Sequence, residues 1–393
     1  MNIKAHVLAV KSIPYKIQCG KYKKREEKGN NTSATKKIFT HITYYAVGNA
    51  GDTVLSQCVR RMFETTFSVG WAIRGVNEEV DYSIVSNMNS TNAVIVGGGG
   101  LFLPDTNANS VSGWQWAISK RHLQSISVPV IGYSIGYNFF PGQQNSKIFV
   151  DNLRAFCEMA AFIGLRNNGS VLAVKALLPE KLRDKICYQP CTTTLIRKLY
   201  DLPDKEKSKK VAINMAFDRE QIRFGNEREI ILDQVARFAK ALEEKGYQIV
   251  LVYHMKNDKK IIPYMRKRKV SFKQKDLTFA FPDEVYQFYN GIELVAGMRG
   301  HAQMIPFGLN CEIISLGTHD KMKWFLEDIN AMDWYVDLRS DPSHLCNRLL
   351  ERFIDIHENR SDATKRRLIR EQDRLWEISC KNMTLLEKIL RNA

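Results

Sequence analysis

Apolar residues along this chain follow two alternating rhythms. Short consecutive apolar runs of strand length are separated by stretches whose apolar positions recur three and four apart, which is one face of a helix. Phe39 to Val47 predicts a strand, and Asp52 to Phe67 a helix carrying Val54, Leu55, Cys58, Val59 and Met62 on one side. Ala93 to Val96 predicts a buried strand, Trp114 to Ser125 a helix, Val128 to Tyr133 a strand, Lys147 to Met159 a helix and Ala161 to Leu165 a strand. The polar stretch Leu202 to Lys210 reads as a linker, and a second series follows it. Val211 to Met215, Gln248 to Tyr253, Ile292 to Ala296 and Cys311 to Leu316 predict strands, with a helix starting at Pro282. Glu229 to Lys245 predicts a helix, with Ile231, Val235, Phe238 and Leu242 inward and Gly246 as its stop. Strands alternating with helices imply parallel βαβ units. The expectation is an α/β fold of two Rossmann-like domains, bilobed, with the site in a central cleft. Its boundaries are a basic irregular lead-in at 1–38, domains at 39–200 and 201–343, and basic C-terminal helices at 344–393.

Composition narrows this only a little. The 393 residues are 44% apolar and include 15 Tyr, 19 Phe and 6 Trp, too apolar and aromatic for a disordered chain. No stretch approaches the roughly 18–20 apolar residues of a membrane span. The apolar run at the N-terminus is interrupted at Lys4 and is too short for a signal sequence. The eight cysteines (19, 58, 157, 187, 191, 311, 346 and 380) form no metal-like pair, so reduced thiols in a cytosolic protein are expected. Charge is more informative: 58 Lys plus Arg against 42 Asp plus Glu leave +16. Basic residues crowd 21–37 and 256–275. That surplus suits polyanions, an anionic bilayer or acidic small substrates, or is simply a solvated surface. No motif places it on nucleic-acid bases.

In open α/β sheets, ligands lie beyond the carboxyl ends of strands, so the residues after each strand are the candidates. Gly48 to Asp52 follows the first strand, with Asn49 and Asp52 at the mouth of a helix; Asp52 fits either an N-cap or a ligand contact. Four glycines, Gly97 to Gly100, follow Val96 and imply close approach of a ligand or of backbone. Ser134 to Tyr137 and Arg166 to Ser170 follow the next two strands, and Arg166 is placed to meet an anion. After Ala296, Arg299-Gly300-His301 opens a helix, where a planar guanidinium and an imidazole adjoin a terminus that favours anions. The next strand returns His319 or Lys321 to the same edge.

Taken in order, Gly48-Asn-Ala-Gly-Asp52, Gly97 to Phe102, Arg166 with Ser170, Arg299-x-His301 and Lys321 resemble the polysaccharide pyruvyltransferase family over residues 40–330. The resemblance implies a GT-B-like architecture. It also implies transfer of the pyruvyl group of phosphoenolpyruvate to a sugar as a cyclic ketal, in exopolysaccharide or capsule synthesis. Carried over residue by residue, it makes Arg166, Arg299, Gly300 and Lys321 donor-binding and His301 the catalytic acid, with the C-terminal domain the donor side. It assigns Asn49, Asp52, Gly98 and Gly99 to the acceptor side, with no metal and no cofactor beyond the donor. The implied partners are phosphoenolpyruvate and a sugar acceptor, lipid-linked or polymeric, in the cytoplasm; if the acceptor is lipid-linked, the basic surface could hold the protein against an anionic membrane. Departures are Gly300 where Leu is usual, Asn167 where an acidic residue is common, and Gln189-Pro190 in place of Asp-Pro. A GT-B-type glycosyltransferase using a nucleotide-sugar, and a non-catalytic polysaccharide- or lipid-binding protein, are the alternative readings.

Overall fold

The structure, a computed structural model, describes residues 37–44, 48–104, 109–139, 142–203, 205–318 and 320–391. The basic lead-in expected at 1–38 therefore lies almost wholly outside the described residues, as do His319 and the end of the first predicted strand. Lys37 and Ile38 already belong to that strand.

The chain divides into two compact units. The described part of the first comprises residues up to Gly48, then Asp52–Thr192, then residues from Ile378 onward; the second comprises Asn49–Gly51 and Thr193–Glu377. Each unit holds one six-stranded, fully parallel sheet, Rossmann-like as the alternation of elements predicts. The first sheet contains β1 (Lys37–Thr43), β2 (Val69–Gly75), β3 (Ala93–Phe102), β4 (Val130–Tyr137), β5 (Ala160–Leu165) and β6 (Ile186–Tyr188), ordered β2-β1-β3-β4-β5-β6. The second contains β7 (Ser208–Asn214), β8 (Gln248–Tyr253), β9 (Phe272–Asp276), β10 (Ile292–Gly297), β11 (Glu312–Gly317) and β12 (Tyr335–Asp337), ordered β12-β11-β10-β7-β8-β9. Strand order reverses where β7 meets β10. Crossovers leave this point in opposite directions, which opens a crevice at the strand ends.

Several helices matter for the site. In the first unit these are α1 (Ala50–Glu64, from Asp52 onward), α2 (Lys147–Met159) and α3 (Asn168–Ala176). In the second they are α4 (Arg228–Glu244), α5 (Pro282–Asn290), α6 (His301–Phe307), α7 (Asp320–Asp328) and α8 (Leu345–Phe353). A final helix, α9 (Ser361–Leu390), passes from the second unit to the first at Ile378. The inward positions expected on α4, namely Ile231, Val235, Phe238 and Leu242, are all buried.

Three expectations are corrected. The glycines 97–100 do not follow a strand; they lie inside β3, which runs on to Phe102. The reason is the approach of β4: a Cβ on Gly97 would overlap the Tyr133 carbonyl oxygen. Likewise Ser134 to Tyr137 is the second half of β4, with Ser134 buried at φ 54°. Finally, Trp114 to Ile118 is not helical. The Ser112 hydroxyl donates to the carbonyls of Trp114 and Trp116, and the Trp114 indole donates to Asn152 of α2 at 2.7 Å. The helix begins only at Lys120, where the Ser119 side chain caps it.

Candidate active site

In the second unit, the carboxyl ends of β7, β8 and β10 meet around one fully buried carboxylate, Asp258. Its Oδ2 accepts the backbone N–H groups of His254 (3.0 Å) and Met255 (3.2 Å), just past β8, and the Asn214 amide at the end of β7 (3.1 Å). Arg299, just past β10, meets Asp258 side-on: Nε donates to Oδ2 at 2.9 Å and Nη2 to Oδ1 at 2.6 Å. Its Nη1 donates to Asp218 at 2.8 Å, and its backbone N–H to Asn214 Oδ1 at 3.2 Å. Burial works against the Arg299 charge, but the two carboxylates outweigh it and raise its pKa.

Asp218 also accepts from Arg223 (2.9 Å) and Arg219 (3.1 Å), and Arg223 reaches Thr318 beyond β11 at 3.3 Å. Burial pushes the Asp218 pKa up, but Arg223, Arg299 and Lys321 pull it far below the usual carboxylate range. Asp218 is therefore ionised and a poor proton acceptor. Arg219, Arg223 and Arg299 pair with Asp218, Arg299 also with Asp258, and Lys321 acts on Asp218 electrostatically, so four cations gather at the mouth of this sheet. His254, buried beside them, is pushed down to about 3 by burial and by Arg299, so it adds no charge near neutral pH.

His301 is the first residue of α6 and is half-buried, with Gly300 before it at φ −53°. A Cβ on Gly300 would sit 3.7 Å from Lys321 Cε, so a leucine there would lie along the lysine stem. Asn49–Gly51 group with this unit: Ala50 N–H donates to the His254 carbonyl at 3.2 Å, and a Cβ on Gly51 would collide with the His301 side chain. Asn49 Oδ1 accepts the Gly51 N–H at 3.1 Å, and α1 begins at Ala50. Asp52 is accordingly in the first turn of α1 and is not its N-cap, which corrects one of the two roles open to it.

The first unit treats its cation differently. Arg166 follows β5 and is 6% exposed. Its Nη2 donates to Asn138 Oδ1 at 2.8 Å, its Nε has no partner, and among the described residues no carboxylate forms an ion pair with it. Burial lowers its pKa, opposed at longer range by Cys191 and Asp52. Two glycines make the room: a Cβ on Gly136 would overlap Arg166 Nε, and one on Gly100 would overlap the Asn138 amide. Gly98, at φ +76°, faces α1, with Val59 Cγ2 3.2 Å from where its Cβ would be, and Gly99 is buried beside it against Leu101. Asn167 caps α3 by accepting the Ser170 N–H at 2.7 Å, as a carboxylate would. Gln189 donates to Ser379 at 3.1 Å and accepts from Asn382 at 2.9 Å, joining β6 to the last turns of α9.

Asn138, Asn214, Asp218, Arg223 and Asp258 escaped the sequence reading, although all but Arg223 stand within five residues of a strand's carboxyl end. Among the described residues no group of three or more His, Cys, Asp or Glu side chains is placed to hold a metal ion.

Residues 28–320 match the family described as polysaccharide pyruvyl transferase. Among solved structures, the chain is similar to MnaA of S. aureus in complex with UDP, at 12% identity and a TM-score of 0.51, covering 82% of this chain and 88% of that one. It is similar to a putative UDP-N-acetylglucosamine 2-epimerase of Listeria monocytogenes at 12% identity and 0.51, covering 85% and 91%. The UDP-GlcNAc 2-epimerase of Neisseria meningitidis bound to UDP-GlcNAc gives 11% and 0.50, covering 88% and 100%. At such identities the likeness is one of fold. No curated protein matches.

Proposed function

We propose, because this chain belongs to the polysaccharide pyruvyl transferase family, that it moves the pyruvyl group of phosphoenolpyruvate onto two hydroxyls of a sugar, forming a ketal and releasing phosphate. The observation that carries the donor assignment is the cluster of four cations at the carboxyl ends of the second sheet, which suits a donor bearing both a phosphate and a carboxylate. Arg299, Lys321 and the Gly300 backbone are assigned to that donor, and the family resemblance adds Arg166, which forms no ion pair among the described residues. His301 is the acid.

In the proposed reaction His301 gives its proton to the methylene carbon of the donor, and the double-bond electrons form the new C–H bond. C2 becomes cationic and is attacked by the first sugar hydroxyl, whose proton passes to a base. The second hydroxyl oxygen then bonds to C2 as the C–O bond to phosphate breaks, and its proton passes to the departing phosphate, closing the ketal. Protein cations offset the donor's charge throughout, so the reading assigns no cofactor. Asn49 and Asp52 keep their assignment to the acceptor, with Asp52 the candidate base, whereas Gly98 and Gly99 are buried in β3 against α1 and Leu101, where they serve packing. We place the reaction in the cytoplasm, with the basic surface in peripheral contact with an anionic membrane that presents a lipid-linked acceptor. No helix among the described residues is long and apolar enough to cross a membrane.

The test is to incubate the protein with phosphoenolpyruvate and a panel of sugar acceptors and measure released phosphate and pyruvylated product. His301→Ala is expected to lose roughly 10²–10⁴-fold in turnover while donor binding survives. Near-wild-type transfer by that variant removes His301 as the acid, and consumption of a nucleotide-sugar in place of phosphoenolpyruvate removes the reading altogether.

A further inference from the structure

We propose that Asp258 is a positioning residue that sets the plane of Arg299 toward the donor's anionic group. The inference rests on the reading of Arg299 as donor-binding. A guanidinium has five N–H bonds in one rigid plane. In Arg299 three are engaged: those of Nε and Nη2 side-on to Asp258, and one of Nη1 to Asp218. One hydrogen on each terminal nitrogen remains. Because the plane is rigid, fixing its side-on edge also fixes the direction of those two hydrogens.

Asp258 is suited to be the fixed point and Asp218 is not. Asp258 has no exposure, whereas the Asp218 side chain is 25% exposed. Asp258 is held from three directions, by the His254 and Met255 backbone and by the Asn214 side chain. Asn214 in turn holds the Arg299 backbone and the Val252 carbonyl, so the ends of β7, β8 and β10 are tied to one another through two side chains. For Asp218, the side-chain partners are the guanidinium groups of Arg219, Arg223 and Arg299. Neutral His254, whose ring bonds to Tyr289, neither repels Arg299 nor competes for Asp258 as a charged partner.

A loop cap alone would give Asp258 the same backbone bonds, so the test must separate orientation from stability. Asp258→Asn retains size and one oxygen acceptor but removes the charge and turns an amide toward Arg299. Phosphoenolpyruvate affinity by calorimetry, KM and kcat by phosphate release, and the unfolding midpoint are measured for wild type, Asp258→Asn, Arg299→Lys and the double variant. The expected result is donor affinity weakened about tenfold or more by Asp258→Asn, the scale of one charge-assisted hydrogen bond lost from the fork. KM should rise more than kcat falls. In the Arg299→Lys background, where no planar fork is left to orient, Asp258→Asn should have little further effect on donor affinity. Unchanged affinity in Asp258→Asn, or losses that simply multiply in the double variant, would overturn the proposal. If Asp258→Asn does not fold, Asp258→Glu replaces it: the charge stays but moves by one methylene, so weakened donor affinity supports positioning and wild-type affinity overturns it. Failure of wild-type protein to bind phosphoenolpyruvate defeats the donor reading itself and is seen before any variant is compared.

Discussion

Arg166 is buried and the Arg299 side chain is 10% exposed, yet Arg299 faces two carboxylates and Arg166 an amide and open hydrogen-bonding capacity. Burying a guanidinium with an unsatisfied N–H is costly unless something else supplies the acceptor. The glycine at 136 is what admits Arg166. Gly136→Ala should therefore displace the guanidinium, destabilise the fold by about 1–3 kcal/mol and raise KM for the donor. An unfolding curve and a saturation curve check this, and a wild-type KM would show that the room at 136 is unrelated to Arg166. Protonation offers a second prediction at this scale. Burial pushes His41 down to about 4, and burial with Arg299 pushes His254 down to about 3, both from 6.5. Between those values the unfolded chain binds more protons than the folded one. Their contribution is complete above pH 6.5 and is lost as pH falls toward the folded values, by up to about 1.4 kcal/mol per pH unit for each. His357 runs the other way: burial opposes its charge, but Glu312 and Glu293 raise its pKa, so its contribution is present below 6.5 and lost as pH rises through the folded value. Denaturant unfolding should give a lower stability at pH 5 than at pH 7, with a shallower slope in His254→Gln. Equal slopes would show that His254 does not titrate as described.

Helix α4 shows how far local sequence reaches at the scale of an element. Its inward stripe and its stop were both legible: Gly246 has φ +88°, its N–H bonds to Glu243 O at 2.9 Å, and Tyr247 N–H bonds to Leu242 O at 3.0 Å. Nothing lies within 4 Å of where a Cβ on Gly246 would be, so the demand is purely conformational. Gly246→Ala should cost about 1–2 kcal/mol, read from the unfolding midpoint, with pyruvyl transfer unchanged; a loss below a few tenths would mean the turn relaxes. Gly97 is the opposite case. Its requirement comes from the Tyr133 carbonyl on a neighbouring strand, a residue thirty-six positions away, so local pattern placed those glycines after a strand when they are within one. Strand β9, Phe-Lys-Gln-Lys-Asp, has no apolar signal and exists because β8 offers it hydrogen bonds, Ile249 pairing with Phe272 through Tyr253 with Asp276. Lysines on such an edge also discourage pairing with other chains.

At the scale of the whole molecule, the net charge of +16 separates into two kinds of cation. A few are enclosed at strand ends, and many are on the surface. Between 256 and 275, Lys259, Lys260 and Arg268 pair with Asp276, Glu220 and Asp233. Arg266, Lys267, Lys269 and Lys273 are exposed and form no ion pair among the described residues. At about 1 kcal/mol per basic residue near an anionic bilayer, these four are enough to make sedimentation with vesicles depend on lipid charge. Binding to phosphatidylserine vesicles should exceed binding to neutral ones and fall with added salt, and charge reversal at 267, 269 and 273 should weaken it. Equal, salt-insensitive partition would end the membrane proposal. What the sequence determined by itself was the alternation of elements, the class of fold, the family and the positions of Arg166, Arg299, His301 and Lys321. All of these are carried by periodicity or by motifs a few residues long. Only the tertiary structure decided how those cations are held. Asp218 and Asp258 stand 81 and 41 positions before Arg299, and Asn138 stands 28 before Arg166. Such partners are chosen by which strand ends a parallel sheet places side by side, and no local pattern of hydrophobic and polar residues records that adjacency.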